Sequence, residues 1–308
     1  MTRLPDALPS ATIVITTKDR RDDLRRALAS AMAQTADVEV LVIDDGSSDG
    51  TPQMVESEFP EAKLHRSERS LGYIAQRNRA AALATSPVIV SIDDDAELGS
   101  RTVEHTLAEL DHPRVGAVAI PHEDVGKGPS TVLPLPPDNG RVYATVAYVG
   151  TAHALRRDLF LDLGGYREGL FHQAEESDFC ARMLRAGYVV RLGTAEHILH
   201  HESPQRISER RYLYGRRNDV LYAWHNVPMP YLAGRLAKVT VHGLLIGVQR
   251  RHLRAAVRGL RQGYAQGLRD LPGRDPLPRD LYRLSRRLRR QLIVPLEEVE
   301  AELPVGPP

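Results

Sequence analysis

Short runs of β-branched and aliphatic residues alternate with helically spaced apolar positions along the first half of the chain. Ala11–Thr17 (ATIVITT), Val38–Ile43 (VEVLVI) and Pro87–Ile92 (PVIVSI) read as buried strands. Between the first two, Asp22–Gln34 sets Leu24, Leu28, Ala31 and Met32 at helical spacing, and Gly72 introduces a second helical pattern over Tyr73–Ala84. This alternation predicts an α/β fold with a mostly parallel sheet flanked by helices on both faces. Further on, Val142–Val149 and Tyr188–Leu192 read as strands, and Glu175–Ala186 as a helix ended by Gly187. Residues 121–141 are rich in Pro and Gly and carry no period, which predicts a long surface loop. After Pro204 the character changes to arginine-rich helices, at about 207–225, 231–249, 252–269 and 279–293, punctuated by prolines such as Pro228, Pro230 and Pro276.

A length of 308 residues suits one large domain or two ordinary ones, and 42% hydrophobic with 26% charged residues is a globular balance. One cysteine, Cys180, excludes an internal disulfide and a cysteine-built zinc site, and it is compatible with a reducing cytoplasm. The N-terminal residues lack the apolar core of a signal peptide. The longest apolar stretch, residues 239–248, contains His242 and is far shorter than the ~20 residues that span a bilayer. A soluble chain is therefore expected. The net charge of +1 conceals an asymmetry: residues 1–203 carry 21 Lys and Arg against 31 Asp and Glu, whereas residues 204–294 carry 20 against 5. An acidic first part and a basic second part point to different tasks.

Acidic clusters fall directly after two predicted strands, where open α/β sheets bind ligands. Asp93-Asp94-Asp95 is one. Three adjacent carboxylates repel one another, so a cation such as Mg²⁺ or Mn²⁺ would compensate them; a solvated acidic turn is the alternative. Asp44-Asp45, in DDGSSDG, can accept a hydrogen bond from a ribose or from a pyrimidine imide, or can belong to a helix-capping turn. Arg77 stands one turn into the second helical pattern, as a ligand-facing or a surface arginine. Glu175-Glu176-Ser177-Asp178 opens a helix. Its carboxylates favour the helix dipole, Asp178 can pair with Arg182, and one of them can serve as a general base. Of His197, His200 and His201, the last two point to opposite faces of a strand, so one of them is available as a neutral metal ligand.

In order and spacing, ITTKDR, DDGSSDGT, LGYIAQRN, DDD, GGYREGLF, EESDFCARMLRAGY and HHESP resemble the inverting family-2 glycosyltransferases of the GT-A fold, over residues 11 to about 203. The resemblance implies a catalytic, nucleotide-sugar-binding domain over residues 1–203. In it Thr17 and Arg20 begin the nucleotide pocket and Asp45 bonds the imide of a UDP- or dTDP-sugar. Arg77, Asp93 and Asp94 lie near the nucleotide, and Gly150 and Thr151 border the donor sugar. It further implies Mn²⁺ or Mg²⁺ on Asp95, with His200 completing the site, and Glu176 as the base. Two positions depart from the family pattern: Glu175-Glu176-Ser177-Asp178 stands where Glu-Asp-x-Asp is usual, which keeps Asp178 as a rival base, and Lys18-Asp19 replaces an aromatic residue and Asn. The acceptor oxygen would attack the anomeric carbon opposite the diphosphate, inverting the stereochemistry.

The resemblance fades after about residue 204. The basic helical region 204–308 mixes arginines such as Arg210, Arg216, Arg217, Arg250 and Arg254 with apolar residues, as does a helix on an anionic membrane surface. A lipid-linked acceptor and a cytoplasmic enzyme peripheral on the inner face of the membrane fit that reading; a subdomain forming a homodimer is the alternative, and nucleic acid fits less well. Two rival functions are a sugar nucleotidyltransferase and a non-catalytic nucleotide-sugar-binding module. The first usually needs a Gly-rich loop after the first strand, and ITTKDRRDD has no glycine; the second would lose acidic clusters that are intact here.

Overall fold

A computed structural model describes residues 10–127, 133–201 and 209–304. In chain order the elements begin β1 (Ala11–Thr17), α1 (Arg21–Met32), β2 (Val38–Asp44), α2 (Thr51–Glu58), β3 (Lys63–Arg66), α3 (Tyr73–Leu83) and β4 (Val88–Asp93). They continue through β5 (Ala96–Glu97), α4 (Thr102–Ala108), β6 (Val115–Ala119), β7 (His122–Asp124), β8 (Tyr143–Thr145), β9 (Ala152–Arg156) and α5 (Arg157–Asp162). After α6 (Glu175–Arg185), β10 (Val189–Leu192) and β11 (Ile198–His200), the chain becomes helical in α7 (Glu209–Asn226), α8 (Tyr231–Gln249), α9 (Leu253–Arg269) and α10 (Arg279–Gln291), and closes with β12 (Val294–Pro295) and α11 (Leu296–Glu300).

Nine strands form one sheet in the order β12-β8-β10-β6-β9-β4-β1-β2-β3. The half made of β3, β2, β1 and β4 is parallel, with β1 registered between β2 and β4. β9 enters antiparallel between β4 and β6, which makes the other half mixed. Strands buried on both faces read as continuous apolar runs, which is why β1 and β2 are legible in the sequence. One face packs Leu24, Leu28, Met54, Val55 and Val103 from α1, α2 and α4. The other packs Ile74, Phe160, Phe179 and Met183 from α3, α5 and α6. A three-stranded sheet, β5-β11-β7, lies at the carboxyl end of β4.

The predicted strand over 142–149 is only three residues long, and the predicted loop over 121–141 begins with β7. Residues 128–132 of that loop, and Glu202, Ser203 and Pro204 of the HHESP motif, lie outside the described residues. The C-terminal helices stand within two residues of their predicted bounds, except that the predicted start of the first, at about 207, lies outside the described residues. Their packing was not legible: β12 pairs with β8 as an edge strand of the main sheet, and Leu281, Leu284 and Leu288 of α10 share the core beneath it. Residues before 203 and after 209 therefore bury a common core.

Candidate active site

β1, β2 and β4 end side by side, so Thr17, Asp44-Asp45 and Asp93–Asp95 are brought to one sheet edge. Thr17 Oγ1 donates to Asp94 Oδ2 at 2.8 Å. Arg20, just past β1, places its two terminal nitrogens 3.0 Å from Asp94 and 2.9 Å from Asp95. Burial pushes the Asp94 carboxyl up to about 7 against the pull of Arg20, with the Asp95 charge adding to the rise. Asp93 accepts from Thr151 Oγ1 at 3.1 Å, and its own N–H donates to the Thr151 carbonyl.

β11 carries His200 to this cluster. Its Nε2 lies 3.3 Å from Asp95 Oδ1, while Nδ1 meets Asp124 of β7 at 2.6 Å. His201 turns to Glu97 at 2.8 Å. Ligand atoms of Asp93, Asp95 and His200 all lie within 4.8 Å of one another. Two carboxylates and an imidazole are a donor set suited to Mn²⁺ or Mg²⁺, so these residues fit the cation that the sequence implies. Asp93 belongs to the cluster read in the sequence as a candidate cation site, although the resemblance implied only Asp95 and His200 as ligands; Asp124, which holds His200, was not singled out. Asp124 sits on a strand inside the segment expected to be loop, where no periodicity marks it.

Arg77 is buried, and it ties the acidic cluster to the start of α6. Its guanidinium reaches Asp93 at 2.9 Å, the Gly150 carbonyl at 3.0 Å, Glu175 at 3.3 Å and Glu176 at 3.8 Å. Burial works against its charge, and Asp93 and Glu175 more than restore it. Glu175 is fully buried and accepts from Tyr73 Oη at 3.2 Å; burial and the neighbouring Glu176 carboxylate raise its pKa well above the usual range. Glu176 is half-buried beside Gly150. A Cβ on Gly150 would collide with the Glu176 carboxylate and come within 3.0 Å of Arg77, so glycine is needed there for close approach. Asp178 points elsewhere: it is 1% exposed and accepts from Arg167 and Arg182, each at 3.1 Å, and from Asn226 of α7 at 2.9 Å.

The segment from Phe171 to Glu175 is held in an uncommon shape. Phe171, Gln173 and Ala174 all have left-handed φ, at 58°, 69° and 72°. Asn218 of α7 holds it, donating to the carbonyls of Leu170, His172 and Gln173 at 2.7–2.9 Å, and Tyr73 Oη accepts from Gln173 N at 2.7 Å. Such strain persists where neighbours over-determine it, commonly at active sites. Asn218 lies outside the motifs and only its tertiary contacts reveal it.

Asp45, expected at a nucleobase, anchors the loop before α3. Its oxygens accept from Ser70 Oγ, Leu71 N, Gly72 N and Gln76 Nε2 at 2.6–3.0 Å. Burial alone would raise its pKa; the bonds from Gln76 and Ser70 and the two backbone amides lower it overall.

A mixed sheet with carboxylates at the ends of its parallel strands, joined by a buried arginine to an acidic helix start, has the layout of the GT-A fold. The model of the Glycosyl transferase family 2 matches residues 12–162, and that of the Glycosyl transferase family group 2 matches residues 139–265. The chain belongs to glycosyltransferase family 2 and is a glycosyltransferase. It is 28% identical over 242 residues to the N-acetylglucosaminyl-diphospho-decaprenol L-rhamnosyltransferase of Mycobacterium tuberculosis, covering 65% of this chain and 78% of that protein. It is 32% identical over 119 residues to the validoxylamine A glucosyltransferase of Streptomyces hygroscopicus subsp. jinggangensis, over 37% and 28% of the two chains. Among solved structures, a mannosyltransferase from Pyrobaculum calidifontis in complex with GDP-Man and Mn²⁺ superposes with a TM-score of 0.57 at 21% identity, over 85% of this chain and 76% of that one. S. aureus TarS in complex with UDP-GlcNAc superposes with a TM-score of 0.56 at 17% identity, over 75% and 71%.

Proposed function

We propose that this glycosyltransferase moves a sugar from a UDP- or dTDP-sugar to a hydroxyl of a lipid-linked acceptor, with inversion, in cell-surface glycan synthesis. The observation that carries the reading is the separation of two carboxylates on one helix. Glu176 is partly accessible beside Gly150 and Arg77, whereas Asp178 is enclosed by Arg167, Arg182 and Asn226. Two arginines occupy one oxygen of Asp178 and the Asn226 amide the other, so neither is open to an acceptor hydroxyl, and Glu176 is the base. Glu175 and Arg77 hold it: Arg77 offsets the mutual repulsion of the adjacent carboxylates.

Asp93, Asp95 and His200 would hold a divalent cation, with Arg20 and Thr17 fixing the neighbouring Asp94. When bound, that cation would supply stabilisation of the charge growing on the departing diphosphate. Gly150 and Thr151 border the space between the cluster and Glu176, which suits the donor sugar. The preference for uracil or thymine rests on Asp45. Of its four donors only the Ser70 hydroxyl can rotate away freely and release an acceptor position for the imide N–H. The M. tuberculosis relative is named for a diphospho-decaprenol acceptor; a similar acceptor would keep this enzyme at the cytoplasmic face of a membrane. The decisive experiment measures nucleotide-sugar hydrolysis with and without Mn²⁺ in the wild type and in Glu176→Gln. Metal-independent hydrolysis, or full transfer by Glu176→Gln, rejects the assignment.

A further inference from the structure

The basic C-terminal region divides once its packing is known. Arg216 pairs with Asp219 at 3.0 Å, and Arg217 donates to the carbonyls of Gly169 and Leu170, so both are spent inside the protein. The hairpin of α8 and α9 is different. On α8, Leu232, Val239, Gly243 and Gly247 face inward. The opposite face carries Val241, Leu244, Leu245 and Val248, spaced i, i+3, i+4, i+7, and three of the four are more than half exposed, at 58%, 57% and 62% for Val241, Leu245 and Val248. An apolar stripe of this kind normally marks the buried side of a helix. Here both sides of one helix are apolar, and the outer one meets no other part of the described chain closely enough to be covered.

Charge says what covers it. Residues 231–269 contain eight Lys and Arg and no Asp or Glu. Arg250, Arg251, Arg254 and Arg258 are exposed around the turn of the hairpin and the first turns of α9, next to the exposed Leu253 and Val257. A protein partner would have to bring a strongly acidic, flat apolar face. An anionic bilayer offers both features at once: acyl chains for the stripe and phosphates for the guanidinium groups. The helix is not apolar enough to cross, as no helix of the described residues is.

We propose that the α8–α9 hairpin lies in the surface of an anionic membrane, with Val241, Leu244, Leu245 and Val248 among the acyl chains and Arg250, Arg251, Arg254 and Arg258 at the phosphates. This deepens the reading of a lipid-linked acceptor and rests on it for its purpose. The geometry joins the two sites. His252, in the hairpin turn, stacks on Tyr212 of α7 at 4.3 Å. Two residues further along the same helix, Tyr214 meets Phe171 at 5.2 Å and His172 at 6.3 Å, and His172 meets Tyr73, which bonds Glu175. The hairpin turn and the loop that precedes the base thus pack against the same stretch of α7, two residues apart along the helix.

The test is co-sedimentation of the full chain with vesicles of phosphatidylcholine alone and with 30% phosphatidylglycerol. The wild type should bind the anionic vesicles, and raising the salt should release it, because surface charge is screened within about a Debye length. Leu244→Glu/Leu245→Glu should weaken binding by at least about tenfold, since each leucine loses its apolar burial. Arg250→Gln/Arg251→Gln/Arg254→Gln should also weaken it, by about tenfold or more. Both variants should hydrolyse the donor at the wild-type rate and melt normally. Absence of wild-type binding to anionic vesicles overturns the proposal, as does undiminished binding by the leucine variant. A concentration-dependent dimer that Leu244→Glu/Leu245→Glu dissolves overturns it in favour of a second copy of the chain. Wild-type vesicle binding without any donor hydrolysis would instead reject the proposed function and leave the surface standing.

Discussion

At the residue scale, two acidic side chains two positions apart on α6 have opposite surroundings, and their substitutions should separate accordingly. Glu176→Gln keeps the shape and most hydrogen bonds but cannot take a proton. We expect kcat to fall by about 10²–10⁴-fold with donor affinity and melting temperature nearly unchanged, read by steady-state kinetics and thermal denaturation. Asp178→Asn leaves the partly buried Arg167 and Arg182 without their buried counter-charge. It should cost about 3–5 kcal/mol of stability in urea titrations, and a wild-type midpoint would contradict that structural role. The metal site gives a third expectation. Asp95→Ala should abolish Mn²⁺-dependent transfer, with EDTA reproducing the loss and added Mn²⁺ or Mg²⁺ reversing it in the wild type. Asp124→Asn, which alters the partner of His200 Nδ1 and otherwise only an exposed pair with Lys127, should weaken Mn²⁺ binding by about 10–100-fold when titrated by electron paramagnetic resonance. Asp45 supplies the fourth. UDP or dTDP should raise the melting temperature more than GDP, and Ser70→Ala should preserve that order, because removing the hydroxyl frees an Asp45 lone pair. Stronger stabilisation by GDP would remove Asp45 from nucleobase reading. That Asp93–Asp95 stand at a strand end and Glu175–Asp178 at a helix start was legible in their spacing. Which carboxylate faces which neighbour was not, because it depends on Arg167 and on Asn226, an asparagine 48 residues away.

Among elements, α7 organises the site from outside the recognised motifs. Asn218 pins the strained loop before α6, and Asn226 holds Asp178. α7 is itself positioned by α9, whose Gly259, Gly263 and Gly267 form a smooth ridge against it. A Cβ at Gly263 would lie 2.7 Å from the Arg217 carbonyl oxygen, and one at Gly259 would strike that of Leu213. Backbone cannot yield as a flexible side chain does, so Gly263→Ala and Gly259→Ala should each destabilise by about 1–3 kcal/mol, Gly259→Ala the more, measured by urea denaturation. Gly234, with open space around its Cβ position, is the control and should tolerate alanine. The sequence marks these glycines only as poor helix formers; their spacing has meaning once α7 is known to lie against them.

Across the whole molecule, the acidic and basic parts of the sequence invite a division near residue 203, yet they share one sheet and one core. α10 covers the face of the sheet beside β8, and β12 closes its edge. A chain ending at residue 203 would expose Ala144, Val189 and their neighbours to water and would lose the Asn218 and Asn226 contacts. We expect it to lack a cooperative melting transition and to aggregate, by differential scanning calorimetry and light scattering; a fragment that melts sharply and hydrolyses donor would establish an independent domain.

The alternation β1-α1-β2 and α3-β4, helix α6 and strand β10, the acidic clusters at strand ends and the C-terminal helices were determined by the sequence itself. Each rests on local periodicity, propensity or motif spacing, which neighbours in the chain suffice to set. Short strands such as β9 and β12 were hidden, because five or two residues carry too little period to stand out, and their pairing partners are remote in sequence. The same holds for Asp124 beside His200, for Arg167 and Asn226 at Asp178 (its pair with Arg182 was legible at i,i+4) and for the outward stripe of α8. Burial and partnership are properties of contacts between distant segments, so only the tertiary structure could decide which of several chemically equal side chains faces the site, which is tied down, and which is left to the solvent.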